Sequence, residues 1–233
     1  MAATTSMLVK LSMLFNLLST SRLGLWSNQE HVRAFPPTCD RIECPSFDVV
    51  HVGDGYEIRR YNSTVWMSTA PIPGISLVEA TRSGFRQLFD YIQGKNSYEK
   101  QIEMTAPVIT EVSPSNGPIC ASSFVVSFYV PKENQANPPP AEGLHAQRWK
   151  PTYVATRQFG GFVADSDVAV EAAALEASLS GTTWAKAIEK SREKESSAGA
   201  SVYTVAQYNS PFEFDDRVNE IWMLFDMEDA SSV

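Results

Sequence analysis

Three side chains of one predicted helix have the types and spacing that suit a flat, apolar ligand carrying carboxylates. Arg82, Phe85 and Phe89 recur at intervals of three and four residues, so they lie along one flank of a helix. Aromatic rings would cover the plane of such a ligand, and a guanidinium at their edge would pair with its acid group. The alternative, which spacing alone favours, is a core helix whose arginine stems extend along its rim.

Catalytic motifs do not support an enzyme. The chain has no Gly-x-Ser-x-Gly and no His-Glu-x-x-His, and Gly94-Lys95 lacks the upstream glycine and the following Ser or Thr of a phosphate loop. We do not expect His31 to be a catalyst, because it lies in the first 34 residues, which are interpreted as leader and linker. We interpret His51 and His145 as satisfied or solvated side chains, because neither has a motif around it. The acidic run 213–216 is interpreted as a solvated turn rather than an acid/base pair.

Composition excludes further classes of protein. The 233 residues are 43% hydrophobic and 20% charged, which is typical of a globular chain rather than a disordered or fibrous one. The formal net charge is -8 and no run of clustered lysines and arginines occurs, so we expect no nucleic-acid partner.

The first 34 residues are interpreted as a signal peptide and linker. Lys10 precedes the apolar stretch Leu11–Leu18, which is much shorter than the roughly 20 residues of a spanning helix. Cleavage is expected between Ser19 and Ala34, and the mature chain is expected to lack a membrane span. We therefore predict the secretory pathway, either extracellular or vacuolar. An uncleaved anchor, or a transit peptide for an organelle such as the chloroplast, is the alternative.

Cysteine usage agrees with that route. Cys39 and Cys44 are too far apart for a Cys-x-x-Cys redox pair and lack the second ligand pair of a zinc site, so we favour a local disulfide over two free thiols. Cys120 is then interpreted as a buried core thiol. Asn62 begins an Asn-Ser-Thr glycosylation acceptor, which is relevant only in the secretory pathway.

The predicted elements place the Arg82 flank on the first helix. Residues 47–69 are rich in β-formers and predict a hairpin. Ser76 and Glu79 form a capping-box pattern, which predicts a helix that runs to about Gln93 before Gly94 stops it.

Two prolines suggest that one unit occurs twice. Pro107 and Pro211 each accompany a β-rich run, although proline belongs at a sheet edge, a bulge or a strand start. The second half has a strand pair or a single long strand over 149–159, followed by a helix whose apolar pattern extends past Gly181. Each half is predicted to contain, in order, a strand, a helix, a strand that carries a proline and a further strand. This predicts an α+β fold from two pseudo-symmetric β-α-β-β halves, as one antiparallel sheet or open barrel flanked by two helices.

Seven motifs in order resemble the SOUL heme-binding protein family, and the leader with its Cys-x4-Cys resembles the plant branch. The motifs are Tyr56-Glu-Ile-Arg-Arg-Tyr, Tyr91-Ile-Gln-Gly-Lys-Asn, Met104-Thr-Ala-Pro-Val, Phe128-Tyr-Val-Pro, Gln158-Phe-Gly-Gly-Phe, Tyr208-Asn-Ser-Pro-Phe and Asn219-Glu-Ile-Trp. The resemblance covers residues 45–226, leaving a C-terminal tail at 227–233. It implies a distorted antiparallel β-barrel with two helices.

The resemblance also implies a ligand. Proteins of this family are associated with heme and related tetrapyrroles, held in a shallow apolar groove beside the first helix. Mapped by motif, Arg82 would pair with a propionate, Phe85 and Phe89 would lie against the macrocycle, and the loop around Pro211 and Phe212 would contribute. We expect a monomeric, non-enzymatic carrier or buffer.

Three positions depart from the pattern of relatives. Arg60 stands where some relatives have a histidine proposed as an axial ligand, and arginine does not ligate iron as imidazole does. Asp90 and Glu213 stand where some have lysines, so they would repel propionates. We therefore expect binding without firm axial coordination. The alternative is an interaction or scaffold protein that keeps the barrel and has lost the ligand.

Overall fold

The computed structural model describes residues 35–113, 122–194 and 201–227. In this part of the chain, ten strands form one antiparallel sheet and three α-helices pack on it. In chain order the elements are β1 (Phe47–Gly53), β2 (Tyr56–Tyr61), β3 (Val65–Thr69), β4 (Ile72–Gly74), α1 (Leu77–Ile92), β5 (Val108–Ser113), β6 (Ser122–Tyr129), β7 (Leu144–Arg148), β8 (Thr152–Gly160), α2 (Asp165–Leu179), α3 (Thr183–Lys194), β9 (Tyr203–Gln207) and β10 (Val218–Phe225). The predicted leader, Cys120 and residues 228–233 lie outside the described residues.

The strand order repeats the first half of the chain in the second. The sheet runs β1-β2-β8-β10-β9-β5-β6-β3-β7, with β4 beside β6. Four strands of the first half have a counterpart in the second: β2 matches β7, β3 matches β8, β5 matches β9 and β6 matches β10. When every one of these strands is replaced by its counterpart, the order from β2 to β7 becomes the same order read from the other end. The sheet curls into a half-barrel with helices against it, which confirms the predicted α+β fold of two pseudo-symmetric halves. Each repeat also has a further strand ahead of the predicted unit.

Helix α1 begins and ends where the sequence predicts. The Ser76 side chain accepts a hydrogen bond from the backbone N–H of Glu79, and Gln93 is the C-cap. Gly94 has φ +106°, a left-handed conformation that glycine adopts without steric cost. The carboxylate of Asp165, at the start of α2, also accepts from the backbone N–H of Val78 at 3.1 Å. This contact links the beginnings of the two matched helices.

The second helical segment differs from the prediction of one continuous helix. Helix α2 ends at Leu179, Gly181 has φ +76°, and α3 begins at Thr183. Thr182 caps the new helix, because its hydroxyl accepts the backbone N–H of Ala185. The apolar pattern continues across the break because both helices pack on the same cluster of core residues. The described residues therefore contain three α-helices instead of two.

Pro107 marks a strand start rather than an edge or a bulge. It directly precedes Val108, the first residue of β5, and β5 pairs with β6 on one side and β9 on the other. The Ala106-Pro107 bond is cis, and the Ala106 N–H donates to the carbonyl of Glu43. Proline has no backbone N–H to donate, and this missing donor therefore lies just outside the hydrogen-bonded ladder of β5. Pro211 lies in the connection between β9 and β10.

The two faces of the sheet bury different residues. Alternate residues of a strand face opposite sides, so each strand contributes to both faces. The helix-covered face is aliphatic in its centre, with Ile58, Leu175, Val205 and Ile221 among its buried residues. The helix-free face is aromatic, with Tyr61, Trp66, Trp149 and Trp222. The segment from Cys39 to Phe47 packs against this aromatic cluster.

Candidate functional site

The exposed face of α1 carries two stacked aromatic rings. The ring centroids of Phe85 and Phe89 are 5.7 Å apart, and their planes differ by 15°. Phe85 also packs edge-on against Phe128 of β6, with 5.3 Å between centroids. Phe85 is half-buried, whereas Phe89 is 42% exposed. One ring is thus anchored on the sheet and the other faces solvent, an arrangement that suits contact with a flat apolar molecule.

Arg82 lies at the edge of this ring pair, one turn before Phe85. Its Nη1 donates to Oε1 of Glu79 at 3.0 Å, and both side chains are more than half exposed. An exposed ion pair of this kind contributes only about 0–1 kcal/mol. The guanidinium can therefore exchange Glu79 for the carboxylate of a ligand at little cost.

The two carboxylates that were expected to repel an acidic ligand each have a cationic partner. Asp90 accepts from Lys95 Nζ at 2.7 Å, and Glu213 accepts from Arg41 Nη2 at 2.7 Å. The hydrogen bond from Arg41 lowers the pKa of Glu213, so this side chain is ionised and paired at neutral pH. Local pairing weakens the expected repulsion.

Pro211 and Phe212 lie in the loop between β9 and β10. The side chain of Phe212 is 84% exposed. Within the described ranges, no hydrogen bond, ion pair or ring contact joins Phe212 to α1. Strand β9 lies two positions from β6, the strand beneath α1, which corresponds to about 10 Å. The structure brings Arg82, Phe85 and Phe89 together and places this loop two strands away.

A buried ionic network on the helix-free face is absent from the sequence-based prediction. Arg59 Nε donates to Glu57 at 2.9 Å and Arg59 Nη1 donates to Glu220 at 3.0 Å. The hydroxyl of Tyr208 and the indole N–H of Trp222 also donate to Glu220, at 2.9 and 2.7 Å. The three charged side chains are at most 1% exposed. The network pairs the buried charges with one another, while Arg59 Nη2 and the hydroxyl of Tyr61 are buried without a hydrogen-bond partner among the described residues.

The protonation states of the network follow from burial and charge. Burial by itself lowers the pKa of Arg59, but the negative charges around it, that of Glu220 foremost, raise it above its usual range. Burial raises the pKa of Tyr208 well above its usual value, so the phenol stays protonated and donates. The sequence does contain a signal for part of the network, since Glu57 and Arg59 are two residues apart on one face of β2. Nothing local in the sequence identifies Glu220 as their partner.

The predicted disulfide is present in the structure, between Cys39 and Cys44. It joins Cys39, within the 3₁₀ segment Pro37–Asp40, to Cys44 just after that segment. Asn62, the predicted glycosylation acceptor, is exposed between β2 and β3, where an attached glycan would meet solvent.

The histidines of the described residues lie apart from the ring pair on α1. His51 of β1 packs against Tyr56 and against Trp184 of α3, and His145 lies on β7. In the described ranges, no group of three or more His, Cys, Asp or Glu side chains could hold a metal ion. None of the helices described is both long and apolar enough to cross a membrane.

The sequence profile of the SOUL heme-binding protein family matches residues 42–224. The chain belongs to the SOUL heme-binding protein family. The matched range begins before β1 and ends within β10, so it includes α1, its ring pair and the β9–β10 loop. The family assignment made from the seven motifs is therefore confirmed.

Relatives of known name agree with the SOUL assignment. Heme-binding protein 2 of Mus musculus is 32% identical over 189 residues, which cover 78% of this chain and 86% of the relative. Heme-binding protein 2 of Homo sapiens is 34% identical over 171 residues, covering 72% and 77%. Heme-binding protein 1 of Sus scrofa is 27% identical over 164 residues, covering 70% and 77%. The placement within the plant branch stays a prediction.

Proposed function

We propose that this protein binds heme or a related tetrapyrrole on the exposed face of α1, as a non-enzymatic carrier or buffer. The observation that carries the proposal is the stacked pair of Phe85 and Phe89, with Arg82 one turn away. Membership of the SOUL family and the names of the heme-binding relatives support the choice of ligand.

Each residue has a distinct task in this proposal. Phe85 and Phe89 lie against the macrocycle, and Arg82 leaves Glu79 to pair with a propionate. Pro211 and Phe212, in the β9–β10 loop two strands away, contribute at the far edge of the ligand. The iron receives no firm axial ligand, because Arg60 stands at the position where some relatives have a histidine and arginine is a poor iron ligand. Binding by apolar contact predicts modest affinity and tolerance of the metal and ring substituents.

A hemin titration of the purified protein tests the proposed site. We expect a saturable Soret shift that weakens at least tenfold in the double variant Arg82→Gln/Phe89→Ala. The matched control is Lys186→Gln/Val170→Ala, which removes an exposed cation and an exposed apolar group from α3 and α2. Equal weakening in both double variants would place the ligand elsewhere. A wild-type titration that does not saturate would favour the interaction or scaffold protein.

We also propose an extracellular or vacuolar location for the mature protein. The leader suggests entry into the secretory pathway, and the Cys39–Cys44 disulfide fits an oxidising compartment. Mass spectrometry of the native protein would test this. We expect a mature N-terminus between Ser19 and Ala34 and a glycan on Asn62. An intact leader with an unmodified Asn62 would refute the secretory route.

A further inference from the structure

A second exposed aromatic pair lies outside the proposed tetrapyrrole site. Phe162 follows β8, and Phe214 belongs to the β9–β10 loop; their ring centroids are 5.9 Å apart. The two side chains are 53% and 72% exposed. Scattered single hydrophobic residues on a surface need no explanation, whereas contiguous exposed apolar surface is a feature of interaction sites. The aromatic pair on α1 is assigned to the ligand, and this second pair has no role so far.

Polar contacts from two buried side chains, Arg217 and Asn219, hold the second pair in place. The guanidinium of Arg217 lies 4.3 Å from the centroid of the Phe162 ring. Its Nη1 donates to the carbonyls of Ser210 and Glu213, at 2.7 and 2.6 Å. The buried Asn219 side chain donates to the carbonyl of Gly161 at 2.8 Å. These contacts fix the residues that follow β8 and the β9–β10 loop. A surface that is ordered before binding loses less conformational entropy when a partner binds.

An acidic cleft lies directly beside Phe214. It has a volume of about 300 Å³, and its charged lining consists of Arg41, Glu213, Asp215 and Asp216. Arg41 is paired with Glu213 at 2.7 Å, and Arg217 beneath the loop donates to backbone carbonyls, so neither cation forms an ion pair with Asp215 or Asp216 in the described residues. The cleft therefore combines an apolar wall with an excess of negative charge.

We infer that this surface docks a segment of a partner protein that places a lysine or arginine in the acidic cleft and apolar side chains on Phe162 and Phe214. The charges select this occupant. Asp215 and Asp216 would repel anionic lipid headgroups and the carboxylates of a tetrapyrrole. A second copy of the chain is disfavoured, because its net charge of -8 would be brought against the same acidic cleft. A basic side chain flanked by apolar groups satisfies both parts of the surface.

Selection from a random peptide library against the immobilised full chain tests the inference. We expect enriched peptides to share a lysine or arginine flanked by apolar residues. A synthetic peptide of the most enriched sequence should bind at least tenfold more weakly to Phe214→Ser. It should also bind more weakly to Asp215→Asn/Asp216→Asn, in which asparagine tolerates the left-handed φ of +49° at position 216. The control Val170→Ser, an exposed position on α2, should bind as the wild type does.

Other results would overturn the inference. Enrichment of peptides without a basic residue, or equal binding to wild type and Phe214→Ser, excludes the proposed partner chemistry. The absence of any Phe214-dependent peptide does the same. Self-association in sedimentation that is lost in Phe214→Ser would assign the surface to a second copy, and Phe214-dependent flotation with phosphatidylcholine vesicles would assign it to a membrane. Hemin affinity separates this inference from the proposed function, because Phe162→Ser, which lies outside the β9–β10 loop, should weaken peptide binding and leave hemin affinity unchanged.

Discussion

Gly84 of α1 lies directly against Val126 of β6, with no room between them for a Cβ. A Cβ built at position 84 overlaps the Cγ2 and Cβ atoms of Val126. Both residues are buried, so the glycine lets the helix approach the sheet closely at this point. The next residue is Phe85, which reaches Phe128 of the same strand. The Gly84 contact therefore sets the position of the first ring of the candidate site.

Gly84→Ala should destabilise the protein by about 1–3 kcal/mol, which is the usual cost of overpacking a core. Alanine is the better helix former by about 1 kcal/mol, so steric displacement of α1 must outweigh that gain. Urea unfolding measures the difference. Ser83→Ala, at an exposed position of the same helix, is the control and should be neutral or slightly stabilising. An unchanged or more stable Gly84→Ala protein would show that the helix shifts freely.

Phe89→Ala and Phe85→Ala should separate binding from stability. Phe89 is 42% exposed, so its removal should change the free energy of unfolding by no more than about 0.5 kcal/mol. Phe85 packs on Phe128, and its removal should cost about 2 kcal/mol. Both variants should weaken the binding of hemin. Urea unfolding and a hemin titration of the same samples give the comparison, and unchanged hemin affinity in Phe89→Ala would contradict the stacked-ring site.

Arg59→Met should destabilise the fold by about 3–5 kcal/mol, because it leaves the buried carboxylates of Glu57 and Glu220 without their cation. The triple variant Arg59→Met/Glu57→Gln/Glu220→Gln should recover part of the loss. Thermal unfolding measures both changes, with the exposed Arg86→Met as the control. A triple variant no more stable than Arg59→Met would mean that packing of the arginine, rather than unpaired charge, sets the cost.

The contribution of Glu213 to stability should depend on pH. Its pKa is lowered from 4.5 in the folded protein, so it stabilises the fold above pH 4.5 and loses this contribution as pH falls through the lowered pKa. Glu213→Gln should be less stable than the wild type at pH 7 by roughly 0.2–1 kcal/mol, the range of exposed ion pairs. The difference should shrink below pH 4.5. Unfolding curves at pH 7 and pH 3 check this, with Glu142→Gln as the control. A difference that persists at pH 3 would exclude the charge as its source.

Local signals in the sequence predict the elements around the candidate site well. The Ser76 cap, the Gly94 stop and the spacing of Phe85 and Phe89 all depend on interactions within one helix, and the structure confirms each of them. The Cys39–Cys44 disulfide is equally local.

Contacts between residues that are far apart in the chain are harder to predict from the sequence. Glu220 joins Arg59 from 161 positions away, and Arg41 joins Glu213 from 172 positions away. Only the folded chain brings these pairs together, and no periodicity in the sequence around either residue of a pair encodes the contact. The sequence does not reveal the break at Gly181 for a different reason. Both helices pack on the same cluster of core residues, so the apolar pattern continues where the helix is interrupted.

The interleaved strand order has a consequence for how the protein is made. Strand β2 pairs with β8, β3 with β7 and β5 with β9, so three seams of the sheet join the first half to the second. When the first half has left the ribosome, those strand edges still lack their neighbours. At ordinary rates of synthesis this interval lasts on the order of ten seconds. During this interval the nascent chain presents unpaired strand edges that can pair with other chains. These edges are therefore where a molecular chaperone would have to act.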